Sequence, residues 1–218
     1  VTIYKTSTGV ILEILRIPRS LIDAYAHNNP TPEPPTIEVP GFGGVPNQVE
    51  NLEDQTYLAQ LNLYNLTMAQ LEFDLVVQAV NILDPDWKTD LRVADMISIG
   101  IPIDSTHEYL RYIALTDAVD LGNVTEEFLY LSTVTDRGIK EAEQAFGIEW
   151  QGAPLRKHSN PPGRLRAASV YQSRVAATSL GYTWEQFCEL PGPDQSAAVA
   201  QYQATCKVEY LASEERKT

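Results

Sequence analysis

Residues 51–82 read NLEDQTYLAQLNLYNLTMAQLEFDLVVQAVNI, and this stretch decides the fold class. Leu58, Leu61, Met68, Leu71, Leu75, Val76 and Ala79 recur at helical spacing. Asn51 suits an N-cap, and Glu53 and Asp54 fall in the first turn, where the helix dipole favours negative charge. The spacing predicts one long helix to about Ile82, stopped by Asp84-Pro85-Asp86.

The same period continues downstream. Trp87 to Ile99 reads as a helix ending at Gly100. Ser105-Thr-His-Glu108 has capping-box form ahead of Tyr109, Leu110, Tyr112 and Ile113. Asn123 to Val134 and Asp136 to Phe146 supply two more helices, with Gly147 as a C-terminal cap. Upstream the period changes. Thr2 to Thr6 and Val10 to Ile17 are β-rich and flank Ser7-Thr-Gly9, which predicts a hairpin. Pro18 then suits the first turn of a short helix carrying Leu21, Ile22 and Tyr25 to about His27. Residues 28–50 hold six prolines and three glycines, so they should run as extended chain. That segment reads either as a solvated connection or as a strand at Thr36 to Val39 pairing with a neighbouring subunit.

Charge divides the chain near residue 151. Residues 1–150 carry 8 Lys/Arg against 23 Asp/Glu, whereas residues 151–218 carry 8 against 6. Gly152-Ala-Pro-Leu-Arg-Lys-His-Ser-Asn-Pro-Pro-Gly163 is rich in turn formers and reads as a linker. Beyond it, Arg164 to Leu180 is helical and ends at Gly181. Thr183-Trp-Glu-Gln186 is a second capping box, opening a short helix over 184–190. Pro193 begins a closing helix to about Glu215, with Ala197, Ala200, Tyr202, Val208 and Leu211 on its apolar face. The expected fold is therefore mainly α with a small N-terminal β-hairpin (α+β). An acidic body over 1–150 contains a helical bundle, 151–163 is a linker, and 164–218 form a small three-helix C-terminal unit. A unit of that size sits near the lower limit of independent stability.

Composition bounds function. A hydrophobic content of 44% builds a full core, and no run of about 18 apolar residues is present, so no membrane span is expected. The opening lacks a basic segment followed by an apolar stretch and a cleavage site, so secretion is not expected. A net charge of −13 disfavours general nucleic-acid binding and favours basic partners. The one basic cluster, Arg156-Lys157-His158 with Arg164 and Arg166, reads as a solvated tether, as a contact with the acidic body, or as a phosphate contact.

His27, His107 and His158 are dispersed without metal-ligand spacing. Asp84 and Asp86 are explained by helix capping. No GxSxG elbow, GxxxxGK[ST] loop or GxGxxG frames any Ser, His or Asp. No catalytic residue, cofactor or metal is expected, and an enzyme is not. Cys188 and Cys206 read as reduced thiols, although antiparallel helices would also allow them to pair. Trp184, Phe187, Leu190 and Tyr202 are either the core of the C-terminal unit or partly exposed binding anchors. Tyr57 and Tyr64, seven residues apart, are either core or an interaction stripe.

Several of these segments together resemble the tail assembly chaperones of long-tailed (siphovirus-type) bacteriophages. They are the opening hairpin, the Pro-rich crossing into Asn51-Leu-Glu-Asp-Gln-Thr-Tyr-Leu-Ala-Gln-Leu-Asn-Leu-Tyr64, the run Gly181-Tyr-Thr-Trp-Glu-Gln-Phe-Cys-Glu-Leu-Pro191, and Gln195-Ser-Ala-Ala-Val-Ala-Gln-Tyr202. The resemblance covers most of the chain through diffuse patterns. It implies a non-virion helper in the host cytoplasm that coats the helix-rich tape measure protein and recruits tail-tube subunits. The recruiting part is often added by programmed frameshifting, and the helper self-associates along its client. Under this resemblance Tyr57, Leu61 and Tyr64 are candidates for tape-measure contact, and Trp184, Phe187 and Tyr202 for contact with the recruited partner. The alternative is a virion structural protein, such as a head-tail connector, neck or minor tail component, whose Pro-rich segment clasps a neighbour.

Overall fold

Gly9 takes a φ of +90° and closes a tight turn in which Thr6 and Val10 are bonded through both backbone and the Thr6 hydroxyl. The flanking segments pair as the expected antiparallel hairpin, β1 (Thr2–Lys5) with β2 (Ile11–Ile14). The computed structural model describes residues 1–29, 31–39, 47–145 and 168–215. They form a mainly helical chain with a small N-terminal sheet.

From Pro18 the chain enters α1 (Arg19–Asn28), then β3 (Thr36–Val39) and β4 (Asn47–Glu50). Of the two readings of the Pro-rich segment, the strand at Thr36–Val39 is present, but it pairs within the chain, antiparallel to β4, and not with a neighbouring subunit. The long helix, α2, spans Gln55–Gln78. Asn51 accepts from the Glu53 amide, and the bond into the helix itself comes from Asp54, whose carboxylate accepts from the Tyr57 amide at 2.9 Å.

The helix expected to reach Ile82 stops four residues short. Val80–Ile82 is instead a strand, β5, antiparallel to β2 on the side away from β1. The open edge of β2 accounts for this. It offers unpaired backbone groups to a segment holding β-branched Val80 and Ile82, and the ladder is extended by Leu15 N to Ala79 O at 2.7 Å and Leu83 N to Ile11 O at 3.0 Å.

The single helix expected over 87–99 is also divided. Trp87–Thr89 form a 3₁₀ turn, and α3 (Leu91–Ser98) begins afresh because the Asp90 side chain caps the Arg92 amide. The Ser105 capping box is present and starts α4 (Thr106–Tyr109), which widens into a π turn over Leu110–Ala114. α5 (Ala118–Ser132) begins five residues before the expected start, because Asp117 caps Val119 and Asp120. α6 (Asp136–Ala145), α7 (Ala168–Ser179), α8 (Trp184–Glu189) and α9 (Gly192–Glu215) follow, with the Thr183 capping box formed.

Two compact units emerge. One comprises 1–21 with 77–218, and the other is the inserted segment 22–76, the boundaries falling inside α1 and α2. The expected linker over 151–163 lies outside the described residues. In the first unit the buried apolar core includes Leu12, Ile14, Tyr109, Leu110, Val124 and Phe128. There α9 packs on α6, α7 and α5. Gly138 and Gly192 permit that approach. A Cβ on Gly138 would meet Ser196 Oγ at 2.5 Å, and one on Gly192 would meet the Tyr130 carbonyl at 2.2 Å.

Candidate functional site

In the inserted unit the described side chains that are buried are Leu75 and Val76, at its C-terminal boundary. Among residues 22–74 whose side chains are described, none is buried. Tyr57, Leu61 and Tyr64 recur on one face of α2 and are half-buried, with the Tyr64 hydroxyl accepting from Thr31 Oγ1 at 3.3 Å. Around the rest of the helix Leu58, Leu63 and Leu66 face solvent, Leu63 at 66% and Leu66 at 70% exposure. On the β3–β4 hairpin Ile37 and Val49 are opposite each other in register, and both are exposed. A helix that is apolar on all sides is ordinarily enclosed, so these side chains form a surface that suits contact with another chain.

The three C-terminal candidates come together around one cluster. Ala176, Ala177, Phe187, Ala198 and Val199 are buried, and Val134, Ile139, Leu180, Trp184, Leu190 and Tyr202 pack against them. Phe187 is wholly enclosed, whereas Trp184 and Tyr202 are half-buried. The Trp184 ring stacks on Phe187 at 5.6 Å, and the guanidinium groups of Arg174 and Arg19 lie 4.7 and 5.3 Å from its centroid.

Arg19 was not singled out by sequence, yet it is buried at this junction. Its Nη1 donates to Ser173 Oγ and to Gln195 Oε1, each at 3.3 Å, while Gln195 Nε2 donates to the Leu190 carbonyl at 2.8 Å. Nearby, Ile17 N donates to Ser132 Oγ at 3.1 Å, and Arg16 donates to the Glu189 carbonyl. The segment after β2 is thereby tied to the C-terminal helices. No motif marks Arg19, because its role depends on residues more than 150 positions away.

Four carboxylates, Asp90, Glu108, Asp120 and Glu141, are held below their ordinary range by neighbouring groups, and two of them tie elements together. Hydrogen bonds from the Arg92 side chain hold Asp90 down at about 2; burial works against this, and the Arg92 amide and the Tyr109 hydroxyl add to it. Burial, then the Asp90 contact, pushes Tyr109 up to about 12. Asp120 is buried, which raises its pKa, but hydrogen bonds from Ser7 and Tyr4 outweigh burial and lower it overall. That carboxylate fastens the hairpin turn to α5. Asp84 accepts from the Asp86 amide at 2.9 Å, as a turn-forming residue does.

Among the described residues no three His, Cys, Asp or Glu side chains are grouped to hold a metal ion, and no helix is long and apolar enough to cross a membrane. Cys188 and Cys206 are not joined in a disulfide. The basic cluster at 156–166 lies outside the described residues. A surface groove beside α8 is lined by Gly181, Tyr182, Glu185, Gln186, Glu189 and Leu190, without a nucleophile paired to a base. No family model, curated protein or solved structure matches the chain.

Proposed function

We propose that the chain is a non-catalytic phage tail assembly chaperone that binds the helical tape measure protein and recruits tail-tube subunits. The observation that carries this reading is the inserted unit, which holds most of a 24-residue helix with solvent-facing leucines and, among the described side chains of 22–74, none that is buried. A stoichiometric helper for a long amphipathic client needs apolar surface of this kind and an acidic exterior that keeps the complex dispersed. In this reading the acidic body over 1–150 holds the client, with Tyr57, Leu61 and Tyr64 on the holding helix. The C-terminal helices of 164–218 recruit the tube subunit, with Trp184 and Tyr202 at their rim. Phe187 supports them from inside the cluster. Copies assemble along the client in the host cytoplasm.

Co-expression with the tape measure protein should yield a complex that survives size exclusion, and mature particles should lack the chain. Its recovery from purified virions at stoichiometric level overturns the reading. That outcome favours the second one, a connector, neck or minor tail component, for which the exposed Ile37 and Val49 pair on the β3–β4 hairpin would be the clasp.

A further inference from the structure

The inserted unit, Ile22–Val76, contains eight Asp and Glu and no Lys or Arg. Five of the eight are placed around the ends of the long helix, and Asp23, Glu33 and Glu38 lie on the segments before it. From Gln55 to Leu71 there is no charged residue, a run about 25 Å long at the helical rise. Glu50, Glu53 and Asp54 precede this run, and Glu72 and Asp74 follow it. The exposed leucines, Leu58, Leu63 and Leu66, lie within the uncharged run.

This arrangement discriminates between occupants. A second copy, whether parallel or antiparallel, would set carboxylates against carboxylates at both ends, with no cation in the unit to compensate. Like charges brought together at an interface oppose association. An apolar helix of similar length with Lys or Arg at its ends would meet the leucines along its middle and a carboxylate group at each end. Its on-rate would gain from steering as well.

We infer that the inserted unit is a docking surface for an apolar helix flanked on both sides by basic residues, and not for a second copy of this chain. The inference rests on the client-holding role proposed above and gives that client its chemistry.

The test uses the full chain and labelled synthetic helices read by fluorescence anisotropy. One peptide has a 17-residue leucine-rich middle with lysine ends, a second has glutamate ends, and a third has lysine ends with serines replacing the leucines. The first should bind at least ~10-fold more tightly than either of the others at low salt, and its advantage over the glutamate peptide should shrink at about 0.5 M salt. Leu63→Asp with Leu66→Asp should weaken binding about 10-fold or more. These side chains are exposed, so circular dichroism and melting should stay unchanged. Glu50→Lys, Glu53→Lys and Glu72→Lys together should abolish the preference between lysine and glutamate ends.

Equal binding of the three peptides, or binding of none, overturns the inference. So does sedimentation in which wild type is a dimer and the Leu63→Asp, Leu66→Asp variant a monomer, because the surface then belongs to a second copy. Capture of the tape measure protein is scored separately. If the double variant captures it as well as wild type does, the inference falls and the chaperone reading stands. If the lysine-ended peptide binds and the tape measure protein does not, the reading falls and the inference stands.

Discussion

Asp90 shows how one side chain at a helix start can report on acid stability. It caps the Arg92 amide, pairs with the Arg92 guanidinium and accepts from Tyr109. Its folded pKa, about 2, lies below the ordinary value of 3.8. Stability from this group is therefore complete above about pH 4 and is lost as pH falls through about 2. Urea titrations across that window should show Asp90→Asn less stable than wild type at the upper end, the two converging at the lower end. Gly192 gives a purely steric case. Gly192→Ala would drive a methyl into the Tyr130 carbonyl, and backbone has little room to yield, so a loss of about 1–3 kcal/mol is expected by chemical denaturation.

At the scale of elements, what could be read in advance was local. Ser105 with Glu108 and Thr183 with Gln186 are capping boxes in both sequence and structure, because the two partners lie three residues apart. Thr183→Ala should cost about 1 kcal/mol. Trp184, the first residue of α8, supplies the fluorescence readout of unfolding. The elements misread were those whose state depends on a distant partner or on a competing cap. Val80–Ile82 continues the apolar spacing of α2, and the edge of β2, 66 or more positions earlier, converts it to strand. Trp87–Ser98 was divided by the Asp90 side chain, which competes for amides that a continuous helix would use. The hairpin around Gly9 was legible because turn and strands are contiguous.

For the whole molecule, burial separates a unit with an enclosed core from an inserted one whose long helix exposes leucines. Within the first unit, the cluster around Phe187 draws Val134 and Ile139 from one side of the chain and Ala198 and Val199 from the other. Trp184→Ala should therefore lower its stability by roughly 2–3 kcal/mol, less than a fully enclosed ring would cost. Hydrogen exchange should show protection falling jointly in α6, α7, α8 and α9 while β3 and β4 exchange as before. Unchanged protection in α6 would show that the C-terminal helices unfold separately. Of the candidate surface, the positions of Tyr57, Leu61 and Tyr64 on one helix face were readable from their spacing. That no described side chain over 22–74 is buried was not, since spacing names a face without saying what covers it. By itself the sequence determined the helical class, the hairpin, the caps and the distribution of charge, all of which depend on neighbours within a turn or two. Only the tertiary structure decided that α2 yields to a strand, that Arg19 is enclosed beside Trp184, and that Phe187 is core while Leu63 and Leu66 are surface. Those outcomes depend on contacts between residues far apart in the chain, and periodicity alone carries no record of such contacts.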